Sequence, residues 1–489
     1  MSPPGDREGR GKGGAPSPEG AVLRLLQGLR ETLPRERWFA EKSAEPSGVS
    51  VADRAALGDA SAPETWLLLR VDFRDRPPSF YSAFFRVEGE TMLPAEDDPV
   101  VVSRLLAGLA NGARIPTENG SLSFRPIPGS EGMFGDAVRE VRRIASEQSN
   151  TSVVIDGRMI HKHLRRIAPG ENPDVEVPEY LWTRTSFRNI PRPLGSVAYT
   201  GPGFPEALVG TTQVFVPNEG DLWTLVLRAL AGNGGLPPLS LLPVLAELGS
   251  VTGWLHAALA SAPPELPAFS PEPVREDDVL RWQAAWDATF QRARLELSRG
   301  LAHLSPETRP LAEEVADRLP LLPPKVALHE GGWPQGSLRT RIHGDYHLGQ
   351  VMRTQEQLII LDFEGEPLRS LEERRAKQSP LKDVAGMLRS LDYAAHAAVR
   401  ASPPASDRSP SDPSIAARSS RGAQDLFLEG YWSVAAAARP GWADPKDPDL
   451  PRLLEFFVTE KALYELCYEL QYRPAWTDIP LRALLKAIG

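Results

Sequence analysis

Residues 358–361 (Leu-Ile-Ile-Leu) are an apolar run of strand length that ends on an acid, Asp362. A carboxylate at the end of a buried strand costs roughly several kcal/mol unless something charged meets it. Twelve positions upstream stands Gln350, and five before that Asp345. An acid, a carboxamide and a second acid at these intervals suit metal-assisted phosphoryl transfer. Asp345 would take the acceptor's proton, while the Gln350 amide oxygen and Asp362 hold magnesium. His343 and His347 are four apart, as zinc ligands on a helix would be. Gly344 beside His343 and the strand downstream oppose that helix, and the glycine suits a strained loop instead.

The chain has 489 residues, enough for roughly three domains or lobes of ~150 residues each. It is 41% hydrophobic and 24% charged, which gives a globular enzyme ample core. The net charge of −9 argues against nucleic acid as the main partner. No apolar run is long enough for a transmembrane helix, so no membrane partner is expected. Residues 1–20 are rich in Gly, Pro and charge, without the apolar stretch of a signal peptide, and read as a disordered tail. The single cysteine, Cys467, allows no internal disulfide and agrees with a cytoplasmic location.

Along the chain, Val22, Leu25, Leu26 and Leu29 mark one face of a helix, and residues 66–73 and 81–88 read as strands. These place a small α+β subdomain at 21–112. Residues 113–217 form a strand-rich unit, with Asp156-Gly157 as a two-residue hairpin between strands 152–155 and 158–164. Ile160, Lys162 and Leu164 fall on one face of the second strand, where the lysine needs an anion. Residues 208–216 give a further strand before the turn at 217–220. From 218 to 489 the chain is mainly helical. Trp282, Trp286, Phe290, Ala293 and Leu297 share one helix face. Ser379-Pro380 caps a helix carrying Val384, Met387, Leu388 and Leu391. Residues 456–471 are a further helix. Residues 402–423, rich in Ser and Pro, read as a mobile surface insertion.

The segments HGDYHLGQ (343–350), ILDFEGEP (360–367), RRAKQSPLKDVAGMLRS (374–390), EQSNTS (147–152), NPDVE (172–176), FVPNEG (215–220) and ALYELCYEL (462–470) resemble the maltokinases. These stand in the aminoglycoside-phosphotransferase-like branch of the protein-kinase-like fold. The likeness implies a two-lobed α+β fold with an added N-terminal cap and a mainly helical C-lobe. It implies ATP-dependent phosphorylation of maltose at its anomeric hydroxyl, with magnesium. By the same likeness Asp345 is the base, and Gln350 and Asp362 are the metal ligands. Lys162 is the nucleotide lysine, paired with Glu176. Ser149, Asn150 and Thr151 would cover phosphates as a small nest, and Gln213 and Phe215 lie in the segment beside adenine. Asp383, one turn into its helix, either complements the helix dipole or braces the catalytic loop. A trehalose synthase would be a separate partner protein.

The acceptor site is less well marked. His347, Glu366 and Arg369 lie next to the chemistry in sequence. Tyr464, Tyr468 and Arg473 lie on or beside a stripe of aromatics spaced as a core face or a sugar platform would be. Arg374, Arg375 and Lys377 read as a solvated face or as contacts to phosphate or the metal loop. His161, His163 and His256 read as structural. Rival readings are a kinase for another sugar such as glucosamine, a non-catalytic sugar-sensing pseudokinase, and a metallohydrolase.

Overall fold

The computed structural model describes residues 18–489 except 37, 40, 42–43, 59–62, 90, 136, 145–149, 324–327, 329–332, 335, 367–368, 402–412, 439–441 and 443. It divides into two compact units. One is Met1–Glu171 with Pro193–Phe215, the other Asn172–Arg192 with Val216–Gly489.

The first unit holds two antiparallel sheets. Helix α1 (Pro18–Thr32) packs on a sheet of β1 (Gly48–Ala56), β2 (Glu64–Asp72), β3 (Ser79–Glu88) and β4 (Thr91–Pro94). Leu67, Leu69 and Val71 of β2 join Ala21, Leu33 and Phe39 in a buried cluster. The other face of β2 is buried too, with the Trp66 ring 5.2 Å from that of Tyr199. A strand covered on both faces shows a continuous apolar run. Helix α2 (Pro99–Asn111) starts at Asp98, whose carboxylate accepts from the Val100 and Val101 N–H groups, and ends at left-handed Gly112.

The second sheet contains β5 (Arg114–Pro116), β6 (Ser121–Pro126), β7 (Val141–Arg143), β8 (Thr151–Ile155) and β9 (Met159–His163). After β10 (Arg166–Ile167), which pairs with β3 in the first sheet, come β11 (Pro193–Gly201) and β12 (Phe204–Val214). The order in the second sheet is β5-β6-β11-β12-β9-β8-β7. Asp156 and Gly157 turn the β8–β9 hairpin with φ of 51° and 64°, the left-handed pair that a two-residue turn of this hand requires.

A separate cap at 21–112 does not emerge. β10 from the following stretch completes the cap sheet, the Tyr199 hydroxyl donates to Asp53 at 2.7 Å, and Arg165 is ion-paired with buried Glu96. On β9 the more buried face is Met159, His161 and His163, while Ile160 and Lys162 are half-buried. Burial holds the His161 pKa down at about 4, and that of His163 well below the ordinary value, so both rings are neutral.

The second unit is helical: α3 (Pro173–Arg184), α4 (Leu222–Ala231), α5 (Leu242–Leu259), α6 (Glu276–Gly300), α7 (Arg309–Arg318), α8 (Leu371–Arg375), α9 (Leu381–Ala401), α10 (Pro413–Ala435), α11 (Leu450–Tyr472) and α12 (Asp478–Ile488). Two short ribbons interrupt them, β13 (Glu272–Pro273) with β14 (Leu338–Arg339), and β15 (Val351–Arg353) with β16 (Leu358–Ile360). Helix α3, assigned from the sequence to the strand-rich unit, belongs here. Its Val177, Tyr180 and Leu181 enter the main core, with Tyr180 stacked on Phe269. The α6 face is buried as its spacing predicts.

The described part of the insertion expected at 402–423 is a helix. Residues 413–423 open α10, and those at 402–412 lie outside the described residues. The Ser-rich composition conceals a helical face of small residues, Ala416, Ser419, Ser420 and Ala423, all buried. Further along α10, Gly430 meets α5 so closely that an added Cβ would lie 2.1 Å from the Ala246 carbonyl oxygen.

Candidate active site

The β15–β16 hairpin brings Gln350 and Asp362 together. Val351 pairs with Ile360, and the Leu361 N–H donates to the Gln350 carbonyl at 2.9 Å. Gln350 therefore ends one arm and Asp362 follows the other, with Gln350 Nε2 3.2 Å from Asp362 Oδ2. Asp362 has φ of 62°, a left-handed conformation rare outside glycine. The Gln350 amide nitrogen donates to the Asp362 carboxylate, and this carboxylate together with the oxygen of the same carboxamide is a hard-oxygen donor set. It fits magnesium, which takes one or two such ligands and fills its shell from water and phosphate. Among the described residues no cluster of three or more His, Cys, Asp or Glu forms a further cation site.

Asp345 sits in the loop before this hairpin, just after Gly344 at φ 84°. The loop is tied down at several points. Asp383, buried in the first turn of α9, accepts from the N–H groups of His343 (2.7 Å) and Gly344 (2.9 Å). The same carboxylate meets His256 Nε2 at 3.2 Å, and His256 Nδ1 meets the Tyr431 hydroxyl, which accepts from Trp442 Nε1. Burial raises the Asp383 pKa, but the bond to His256 and the neighbouring loop groups outweigh it and hold the carboxyl below its ordinary range. His343 Nε2 lies 2.8 Å from the Leu361 carbonyl, which can only accept. The proton is thus on Nε2, and Nδ1 receives the Asp345 N–H. The Tyr346 hydroxyl meets Thr252, and the Leu348 N–H donates to Ser390.

Next to Asp345 opens a cavity of about 310 Å³. Lys461 of α11 reaches into it, with Nζ 2.9 Å from Glu366 Oε1 and 3.7 Å from Asp345 Oδ1. Arg369 donates to the other oxygen of Glu366 at 2.6 Å. Burial alone would raise the Glu366 pKa, yet Lys461 and Arg369 bring it down to about 2. Trp282, Phe457 and Tyr464 supply aromatic surface to the same cavity. Its other described carboxylates are engaged. Asp278 pairs with Arg281 and Arg339, Glu460 with Lys382, and Glu373 closes the capping box of α8.

The structure thus brings together Asp345, Glu366, Arg369 and Tyr464, with Gln350 and Asp362 on the adjoining hairpin. His347 flanks Asp345 and caps the turn at Gly349; burial lowers its pKa against the pull of Asp345. Tyr468 and Arg473 do not line the cavity. Tyr468 is exposed beside Tyr472, and Arg473 pairs with Glu469. Glu176, expected opposite Lys162, is held by Arg375 and Arg341, each at 3.0 Å. Lys162 lies on β9, in register with Ser152 and Thr211. Of the expected phosphate nest, Ser149 lies outside the described residues and Asn150 is half-buried before β8. Thr151 is buried, its hydroxyl accepting from Arg165 at 3.0 Å, so it is not presented to a ligand. Gln213 is on β12, and the Phe215 N–H is committed to the Arg158 carbonyl. Arg374 donates to the Glu364 carbonyl and Lys377 pairs with Glu272, so neither belongs to an unpaired solvated face.

Sequence reasoning missed Lys461 and Arg341. Lys461 directly precedes the ALYELCYEL run, three residues before Tyr464 on the same helix face. That spacing was the available signal. Arg341 is a buried guanidinium whose partner is remote in sequence.

Residues 140–365 match the phosphotransferase enzyme family. A glucosamine kinase of Streptacidiphilus jiangxiensis is 28% identical over 383 residues, 77% of this chain and 78% of the relative. One from Mycolicibacterium smegmatis is 27% identical over 350 residues, 71% and 79% of the two chains. A solved glucosamine kinase superposes with a TM-score of 0.66 at 22% identity, over 93% of this chain and 96% of that one. A second, in complex with glucosamine, ADP and inorganic phosphate, gives 0.64 over 95% and 98%. No described helix is long and apolar enough to cross a membrane. The chain thus has the kinase-like α+β fold seen in the solved glucosamine kinases, and its residues 140–365 match the phosphotransferase enzyme family.

Proposed function

We propose that this chain transfers the γ-phosphoryl group of ATP to the anomeric hydroxyl of maltose. The observation that carries phosphoryl transfer is the Gln350–Asp362 contact on the hairpin that directly follows the loop of Asp345, itself on the cavity wall. Asp345 accepts the hydroxyl's proton as the oxygen attacks. The ties from Asp383, Thr252 and Ser390 hold the loop so that little reorganisation is needed at that moment. Asp362 and Gln350 would hold magnesium, which when bound offsets negative charge on the phosphates. Lys162 is the proposed nucleotide lysine.

The choice of maltose rests on the likeness of residues 360–390 to maltokinases. The paired state of the cavity carboxylates supports it. Each described acid on the wall already has a partner within the chain, so none is left over to receive a substrate ammonium. A second reading, glucosamine as acceptor, is favoured by the names of the relatives. ADP release measured with maltose and with glucosamine, followed by identification of the phosphorylated product, decides between them. Turnover of glucosamine without turnover of maltose refutes the first reading. Absence of sugar-dependent ADP release across a panel of neutral and amino sugars refutes both.

A further inference from the structure

Lys461 stands where the acceptor has to come. Its ammonium bridges Glu366 and Asp345 and lies 5.1 Å from the centre of the Tyr464 ring. Phe457 and Glu460 of the same helix line the same cavity. Two carboxylates facing one small space repel each other unless a cation stands between them. In most sites that recognise an amine, the substrate supplies that cation. Here the chain does.

We propose that Lys461 determines specificity: its ammonium fills the cation position between Asp345 and Glu366, so that an acceptor must be uncharged where it meets them. Burial disfavours the ammonium, but Glu366 and Asp345 outweigh that and hold its pKa above that of an ordinary lysine. Lys461 is therefore charged throughout the neutral range. A sugar amine entering the same place would set one ammonium against another, and like charges at contact weaken binding by about tenfold or more even where water partly screens them. Removing the lysine's charge leaves Asp345 and Glu366 facing the cavity without it, the arrangement an amino sugar would seek. Lys461 thereby positions Asp345 and selects against amines. The inference rests on the sugar-kinase reading above and deepens it.

The test compares Lys461→Met, which keeps the length and removes the charge, with Lys461→Arg, which keeps the charge. Binding of glucosamine and of glucose is followed by tryptophan fluorescence, since Trp282 lines the cavity. ADP release with maltose is measured alongside. In Lys461→Met the affinity ratio of glucosamine to glucose rises about tenfold or more over the wild type, and Lys461→Arg keeps the wild-type ratio. An unchanged ratio in Lys461→Met, or an equal rise in Lys461→Arg, overturns the inference. Wild type that discriminates against glucosamine yet releases no ADP with maltose refutes the maltose reading and leaves this one standing. Should Lys461→Met fail to fold, Lys461→Gln carries the same comparison.

Discussion

Replacing Asp383 by Asn turns one carboxylate oxygen into an amide nitrogen at a position where each bonded neighbour donates. Asp383 is 2% exposed, and its two oxygens receive the His343 N–H, the Gly344 N–H and His256 Nε2. An asparagine can turn its carbonyl to one side only, and its NH₂ then faces a donor. If it keeps His343, the Gly344 N–H is left without an acceptor, which costs about 1–3 kcal/mol, and the remaining bonds lose their charge-assisted part, about 1 kcal/mol more. The expected destabilisation is about 2–4 kcal/mol, large for a change of one atom. The pH dependence follows from the lowered pKa, set by burial on one side and by His256 and the loop on the other. A carboxyl with a depressed folded value stabilises fully above its unfolded value, near 3.8, and loses that contribution as pH falls through the folded one. Urea unfolding should therefore show the full gap between wild type and Asp383→Asn at pH 7, narrowing below about pH 4. ADP release should fall mainly in kcat, because the loop that carries Asp345 loses its fixed point. A gap that is absent at neutral pH, or that persists undiminished into acid, would refute this account of the loop.

Asp345→Asn should lower turnover by about 10²–10⁴-fold with little change in thermal midpoint, and normal ADP release would remove its role as base. Gly386→Ala offers a contest between two effects. Alanine gains about 1 kcal/mol of helix propensity, but its Cβ would lie 2.6 Å from the Tyr346 carbonyl oxygen. Overpacking of that kind costs about 1–3 kcal/mol, so a net loss of stability and of turnover is expected, and a stabilised active variant would show that the loop yields freely. Glu366→Gln should lower stability at pH 7 by up to about 3 kcal/mol, the equivalent of a shift from 4.5 to about 2. The folded value is the depressed one, so the difference should shrink as pH falls from 4.5 towards 2; chemical unfolding at pH 3 and 7 reads it.

What the sequence disclosed was local. The hairpin that pairs Gln350 with Asp362 was legible because an apolar strand ended on an acid, and the α6 face because its spacing is regular. Helix α10 was hidden since its buried face consists of small residues with the composition of a loop. Thr151 looked available for phosphate because a hydroxyl in a polar turn gives no sign of which way it faces. The arginines on Glu176 and the bridge from Lys461 to Asp345 join residues far apart in sequence, 341 with 176 and 461 with 345. Such pairs follow from how helices pack, which periodicity does not report. The expected cap failed for a related reason: a two-residue strand, β10, joins its sheet by pairing with β3, whose paired residues lie 85 to 87 positions earlier.

Asp362 joins these local and distant features at one residue. Its φ of 62° is expensive for a side-chain-bearing residue, about 1–2 kcal/mol for alanine, while aspartate tolerates it better. The conformation is imposed from both sides. The Leu361 N–H is fixed to Gln350, and the Leu361 carbonyl to His343, so the turn to Asp362 must be made in a single step. That step sets the carboxylate back against the Gln350 amide. If the left-handed backbone is required by these ties, Asp362→Gly should be more stable than Asp362→Ala by about 0.5–1 kcal/mol, the alanine penalty less the extra chain entropy of glycine. Both variants should lose ADP release, since neither carries the carboxylate proposed to hold magnesium. Equal stabilities measured by chemical unfolding would mean that the backbone relaxes once the side chain is gone, and that the carboxylate's contact with Gln350, not the hairpin, holds Asp362 in place.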